Sequence, residues 1–179
     1  MKKLLLLINF CILLFSTATY AQSGANCANA APFCTGTSYS FPNITGNSTG
    51  LGGGGAYGCL GTTPNPVWYF MQILNPGDLH ITINQTDGSG SGIDVDFVCW
   101  GPFASQSAMC SGYNSGNIVD CSYSTAATEV LDITGATTGQ FYLVLMTNYN
   151  GSAGTLSFSQ TSGAGTTNCG VLCNITALT

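Results

Sequence analysis

The chain has 179 residues, two basic side chains and seven acidic ones, and both basic residues, Lys2 and Lys3, stand at its start. Beyond them there is no Lys or Arg, which argues against nucleic-acid binding, a lysine Schiff base, an arginine clamp on phosphate and attraction to an anionic membrane surface. Without a basic partner, each carboxylate is expected to be solvated, hydrogen-bonded or bound to a metal ion.

Residues 1–21 read as a secretory signal peptide. A basic start is followed by an apolar run from Leu4 to Phe15, and then by small residues around Thr19 and Ala21. Removing 21 of 179 residues leaves 158, enough for one domain with its own core, and no membrane insertion is expected after the signal is removed. The remaining chain carries seven acids and His80, a formal charge of −7 with the imidazole neutral. Eight cysteines remain: Cys27, Cys34, Cys59, Cys99, Cys110, Cys121, Cys169 and Cys173. An even count in an exported chain predicts disulfides. Zinc is disfavoured because paired Cys-x-x-Cys knuckles are absent and the histidine is alone. Two pairings are expected: Cys110 with Cys121, and an N-terminal cysteine with Cys169 or Cys173.

Residues 22–66 are rich in Gly, Ser, Asn, Thr and Pro. They are expected to form a cysteine-pinned region that packs on the domain, with one short strand near Tyr39. From residue 67 to 168 the pattern becomes strands and turns. Val67 to Leu74 is apolar on nearly both faces, and Asn75-Pro-Gly-Asp78 predicts a turn leading to the alternating strand Leu79 to Asn84, the two strands making a hairpin. A flexible link over 86–92 precedes Ile93 to Phe103. There, Ile93, Val95, Phe97 and Cys99 are predicted on the core face, with Asp94, Asp96, Val98 and Trp100 opposite, and Gly101-Pro102 as the stop. Ala104 to Gly116 reads as a stapled loop, followed by strands over 117–123, 128–133, 140–147 and 154–160, the third of these apolar on both faces as in a central strand. Seven or eight short strands without a long amphipathic run predict an all-β, two-sheet antiparallel β-sandwich, jelly-roll-like or otherwise, stapled by disulfides. Residues 169–179 read as the start of a linker or of a following module of a longer protein.

Asp94 and Asp96 lie roughly 6–7 Å apart on one strand face. They are the leading metal candidates, with Asp87 and Asp120 as further oxygen donors for a Ca²⁺ ion; the alternative is one acid on a loop amide and the other in water. A glycosidase pair requires a second carboxylate across a cleft, and nothing places one there. His80 is the sole general base on offer and lies on the outward face of its strand, so no catalytic residue is assigned. Trp68, Trp100, Tyr57, Tyr69, Tyr113, Tyr123 and Tyr149 are the aromatics that could stack on a sugar, against the favoured alternative that each is core; Trp100, which shares a face with the two aspartates, and Trp68 are the candidate ligand-binding residues.

Pro76-Gly-Asp-Leu-His-Ile-Thr-Ile83, Ile93-Asp-Val-Asp-Phe-Val98, Thr138-Gly-Gln-Phe-Tyr-Leu-Val-Leu145 and Gly154-Thr-Leu-Ser-Phe158 resemble the strand order of the bacterial pre-peptidase C-terminal domain. That resemblance implies a β-sandwich appended to secreted proteins that commonly binds calcium, with Asp94 and Asp96 matching the Asp-x-Asp strand. Ala31-Pro-Phe-Cys34, Gly58-Cys59, Pro64-Asn-Pro-Val-Trp-Tyr-Phe-Met71, Asp94-Val-Asp-Phe-Val-Cys-Trp-Gly-Pro-Phe103 and Val119-Asp-Cys-Ser-Tyr123 resemble the N-terminal regions of large Bacteroidetes surface proteins. Those proteins are exported by the type IX system and linked to gliding motility and adhesion. Together these readings predict a secreted, non-enzymatic adhesion or ligand-binding module at the outer surface of a Gram-negative bacterium, with structural calcium. Its partners would be a surface glycan, a matrix, a protein ligand or neighbouring modules. The alternatives are a carbohydrate-binding module of a larger secreted enzyme and a structural spacer or filament subunit.

Overall fold

The structure is a computed structural model and describes residues 26–42, 51–149 and 152–172; the expected signal peptide, Cys173 and the residues after it lie outside the described residues. Ten strands form: β1 (Ala31–Pro32), β2 (Tyr39–Pro42), β3 (Val67–Asn75), β4 (Gly77–Thr86), β5 (Asp96–Phe103), β6 (Ile118–Ser122), β7 (Thr128–Ala136), β8 (Phe141–Thr147), β9 (Thr155–Ser162) and β10 (Thr166–Thr167). One sheet has the order β1-β3-β8-β5-β6, with β10 also paired to β3, and the other has the order β2-β9-β4-β7. All pairings are antiparallel except that of β1 with β3. The molecule is therefore the expected all-β two-sheet sandwich.

Strand alternation explains the core between the sheets. Odd-numbered residues of β3 (Val67, Tyr69, Met71, Ile73) and β5 (Phe97, Cys99), with Tyr142, Val144 and Met146 of β8, face Leu79, Ile81 and Ile83 of β4 and Leu131 and Ile133 of β7. The alternate residues of each strand point the other way. In β4 these are the half-exposed His80, Thr82 and Asn84, so the outer face of that sheet meets water and the strand alternates cleanly.

The outer face of the first sheet is covered as well. Trp68 and Phe70 of β3, Val98 and Trp100 of β5, and Leu143 and Leu145 of β8 form a second buried core. It is closed by Leu60, by Met109 of the short helix α1 (Gln106–Gly112), and by the partly buried Cys27, Ala30 and Tyr57. Burial on both faces is why β3 and β8 read as continuous apolar runs, and β8 is the central strand between β3 and β5.

Several local expectations are corrected. Residues 104–116 contain helix α1 rather than a loop alone. Ser105 caps it by accepting from the Ala108 amide, and seven residues are too few to show a helical period in the sequence. The turn after β3 does not make a hairpin, because β3 and β4 lie in opposite sheets and the chain crosses the sandwich there. Gly77 permits that corner at φ 141°, where an added Cβ would stand 2.7 Å from the Gly165 amide nitrogen. Strand β5 starts at Asp96 rather than Ile93 and continues past Gly101-Pro102 to Phe103, with its register shifting between Trp100 and Phe103. The link over 86–92 is an ordered turn, closed by Asp87 N–H to Ser91 O and Gly90 N–H to Asp87 O.

The described disulfides are Cys27–Cys110, Cys34–Cys169 and Cys59–Cys121. The expected tie from an N-terminal cysteine to Cys169 is present. The expected Cys110–Cys121 bond is not, because α1 turns Cys110 toward the segment at Cys27 while β6 presents Cys121 to the loop carrying Cys59. Cys99, also expected in a disulfide, is a free thiol sealed in the inter-sheet core. The three disulfides among the described residues are consistent with folding in an oxidising compartment. Among the described residues, no helix is long and apolar enough to cross a membrane.

Candidate functional site

The two ends of the sandwich differ. Among the described residues, six of the seven buried polar ones, Thr63, Asn65, Gln85, Asp96, Thr147 and Asn148, lie where β3, β5 and β9 begin and β4 and β8 finish. Buried polar groups require partners, and some of these have theirs: the Thr147 hydroxyl donates to the Pro64 carbonyl, and Asn148 Nδ2 donates to Ser152 O at 2.8 Å. Others have none, among them both side-chain heteroatoms of Gln85, Asn65 Oδ1, Asp94 Oδ1 and both carboxylate oxygens of Asp96.

Asp94 and Asp96 line one pocket of about 200 Å³ together with Tyr123, Ser124, Thr125 and Tyr149. Strand order explains this grouping. Strand β5 lies between β8 and β6, with Asp96 opposite Thr147 and Phe97 opposite Ser122. The chain leaving β8 therefore carries Tyr149 to one side of Asp96, and the chain leaving β6 carries Tyr123 to the other. The Val95 amide donates to the Ala126 carbonyl at 3.1 Å, tying the 93–96 segment to the 123–127 loop. The Tyr123 and Tyr149 rings meet edge to face, with centroids 5.8 Å apart, and are 38% and 49% exposed. Gly61 makes room for Tyr123, whose hydroxyl lies 2.9 Å from where a Cβ would stand.

The pocket floor is electrostatically unfavourable as it stands. Asp96 is 1% exposed, and its carboxyl is pushed up to about 7, first by burial and then by the charges of Asp94 and Glu129. The Ser124 backbone amide opposes the rise, but neither Asp96 oxygen accepts a hydrogen bond of good geometry. Asp94 is raised too, by burial and by Glu129. Glu129 itself accepts a hydrogen bond from the Ser124 hydroxyl.

The structure does not bring the four proposed calcium ligands together. Asp87 Oδ1 accepts from the Ser89 amide at 2.8 Å, the Ser89 hydroxyl at 2.7 Å and the Ser91 amide at 2.9 Å, and these bonds hold its carboxyl below the usual range. Asp120 accepts from the Cys121 and Asp132 amides at 2.8 and 2.7 Å, joining β6 to the edge of the opposite sheet. Among the described residues, no three His, Cys, Asp or Glu side chains converge as a metal cluster. Any cation at Asp94 and Asp96 must complete its shell with hydroxyl, backbone or water oxygens.

Trp68 and Trp100 are not surface residues. Both rings are buried in the second core, stacked on each other at 5.7 Å and 13°, and Trp100 Nε1 donates to the Ala56 carbonyl at 2.8 Å. Loop 57–60 and α1 cover the face they occupy, so a sugar cannot stack on them. Among the described residues the exposed aromatics are Tyr123 and Tyr149, two of the tyrosines expected as possible stacking residues, though the sequence did not show which of them the loops would leave open. His80 Nδ1 donates to Asp132 Oδ1 at 2.5 Å on the outer face of the second sheet. Asp132 is thus one carboxylate with an imidazole partner, contrary to the expectation of none.

No family model matches the sequence, and no curated protein matches it. Among solved structures, the chain is similar to the pre-peptidase C-terminal domain of a collagenase from Bacillus anthracis, at 14% identity and a TM-score of 0.39, over 73% of this chain and 93% of that one. The sandwich assignment above rests on this chain's own strand pairing.

Proposed function

We propose that the protein is a secreted, non-catalytic ligand-binding module of a bacterial cell surface whose polar end holds a calcium ion at Asp94 and Asp96. The observation that carries this reading is Asp96, a buried carboxylate with both oxygens unpartnered, beside the unpartnered Asp94 Oδ1, in a chain with no Lys or Arg beyond its first three residues. An isolated buried carboxylate is costly unless it is neutralised. A hard divalent cation neutralises two at once and takes six to eight oxygens, of which the Thr125 hydroxyl, nearby backbone carbonyls and ordered water supply the remainder. Asp87 and Asp120 are excluded from the set, being committed to backbone amides.

The adhesive role and the bacterial-surface location rest on the sequence resemblance to type IX-exported surface proteins and on the disulfides. The absence of a catalytic role rests on the site's composition: the pocket holds carboxylates and hydroxyls but no imidazole, and His80 lies on another face. Calorimetric titration of Ca²⁺ into chelator-treated protein tests the proposal. One site, abolished by Asp96→Asn, is expected; no heat and no change in melting temperature with calcium refutes it.

A further inference from the structure

The ligand class follows from what surrounds the acidic pocket. Across Tyr149 lies a second, shallower cavity of about 420 Å³, lined by Gly52, Gly53, Gly61, Thr62, Thr63 and Pro64. Tyr149 belongs to both cavities, and Tyr123 reaches from the first to Thr62, the two hydroxyls standing 3.4 Å apart. The result is one continuous surface: an exposed aromatic corner, open backbone at Gly52, the Thr62 hydroxyl, and carboxylates at one end.

This surface also has a definite charge character. Its lining holds no Lys, Arg or His, and the chain beyond residue 21 has no Lys or Arg. In the cation-free protein, uronic acids, sulfates, sialic acids and phosphates have no basic side chain to pair with there and are repelled by Asp94 and Glu129. A wholly apolar ligand would cover the carboxylates of Asp94 and Asp96 without offering them a partner. Two exposed tyrosine rings with hydroxyl and carboxylate acceptors alongside suit a ligand with one apolar C–H face and a rim of hydroxyl donors.

We infer that the Tyr123–Tyr149 corner and the adjoining glycine-threonine cavity bind a neutral saccharide, one sugar ring lying against Tyr149 and its hydroxyls reaching Thr62 and the acidic pocket. The inference rests on reading this end of the sandwich as the ligand site, but it does not require that calcium be the ion there. The experiment is calorimetric titration of the wild-type protein, Tyr149→Ala and Asp96→Asn with cello-, xylo-, manno- and malto-oligosaccharides, with oligogalacturonate and heparin fragments as anionic comparators. Each is run in calcium and in chelator.

Binding of a neutral series, weakened at least about tenfold by Tyr149→Ala while that variant still melts cooperatively as a folded protein, supports the inference. Saccharide binding that survives chelator and Asp96→Asn also supports it, and removes the metal from the account. An intact calcium response with no neutral oligosaccharide bound overturns the inference and leaves the proposed cation site standing. Tighter binding of the anionic comparators, or unchanged binding by Tyr149→Ala, overturns it too. Absence of both responses ends both readings.

Discussion

Replacing Asp96 with Asn removes a buried charge and leaves the shape of the side chain nearly unchanged. The Asp96 carboxyl titrates at about 7 in the folded chain, against an ordinary value of 3.8. Because the folded value is the higher one, the native state holds its proton into a pH range where the unfolded chain has lost it. The associated stability is full below about pH 4 and is lost progressively as pH rises through about 7. Each pH unit between the two values is worth about 1.4 kcal/mol, so the roughly two units between pH 5 and about 7 carry at most about 3 kcal/mol.

In chelator, the wild-type protein is therefore expected to melt on the order of 5–10 °C lower at pH 8 than at pH 5 because of this one group. Asp96→Asn should lose most of that difference. Comparing the two pH values within each protein cancels the cost of the new amide, whose N–H groups lack partners as the carboxyl does. Calorimetric melting of both proteins at both pH values, with and without calcium, is the assay. Calcium at pH 8 should restore the wild type and leave the variant unmoved. An equal pH dependence in wild type and variant would refute the claim that Asp96 is a buried, unpartnered carboxylate.

Three further outcomes follow from the cores and the disulfides. Cys99, buried with its thiol pushed well above the ordinary range by burial and then by Asp120, should resist alkylation in the native protein and react fully on denaturation without reductant; rapid native labelling would place it outside the core. Trp100→Ala removes a stacked, hydrogen-bonded ring from the second core and should cost about 3–5 kcal/mol of stability, measured by denaturant melts, whereas Tyr149→Ala, half exposed, should cost under about 1 kcal/mol. Digestion without reduction, followed by peptide mass mapping, should recover Cys27 joined to Cys110 and Cys59 joined to Cys121. A Cys110–Cys121 peptide would contradict the packing of α1 and loop 57–60 over the tryptophans.

The fold was legible where side-chain period alone determines it. The alternation in Leu79 to Asn84 marks a strand with one wet face, and the unbroken apolar run in Phe141 to Thr147 marks a central strand. The second core was not legible, since Leu60, Met109 and Tyr57 come from a glycine-rich loop, a seven-residue helix and a single turn, none with a period of its own. For the same reason Trp100 could be placed on the correct strand face while its burial could not be foreseen. Nor could the sequence distinguish a hairpin from a crossing at Asn75 to Asp78, because β3 is apolar on both faces and fits either neighbour.

Of the candidate site, the pair Asp94 and Asp96 was visible as acids without a basic partner on one strand face. What surrounds them was not, because Tyr123, Ser124, Thr125 and Tyr149 arrive from loops after β6 and β8, strands brought beside β5 only by sheet order. Asp87 and Asp120 looked equivalent as acids; the turn amides at Ser89 and Ser91 and the cross-sheet amide of Asp132 occupy them.

Terbium luminescence tests the central claim most directly, since Tyr123 and Tyr149 flank the pocket and tyrosine excitation sensitises a lanthanide bound within a few ångströms. Tb³⁺ added to chelator-treated protein should give saturable emission on tyrosine excitation, which Ca²⁺ displaces and Asp96→Asn abolishes. Emission that is absent in the wild type, or unchanged by Asp96→Asn, would contradict a cation site at Asp94 and Asp96.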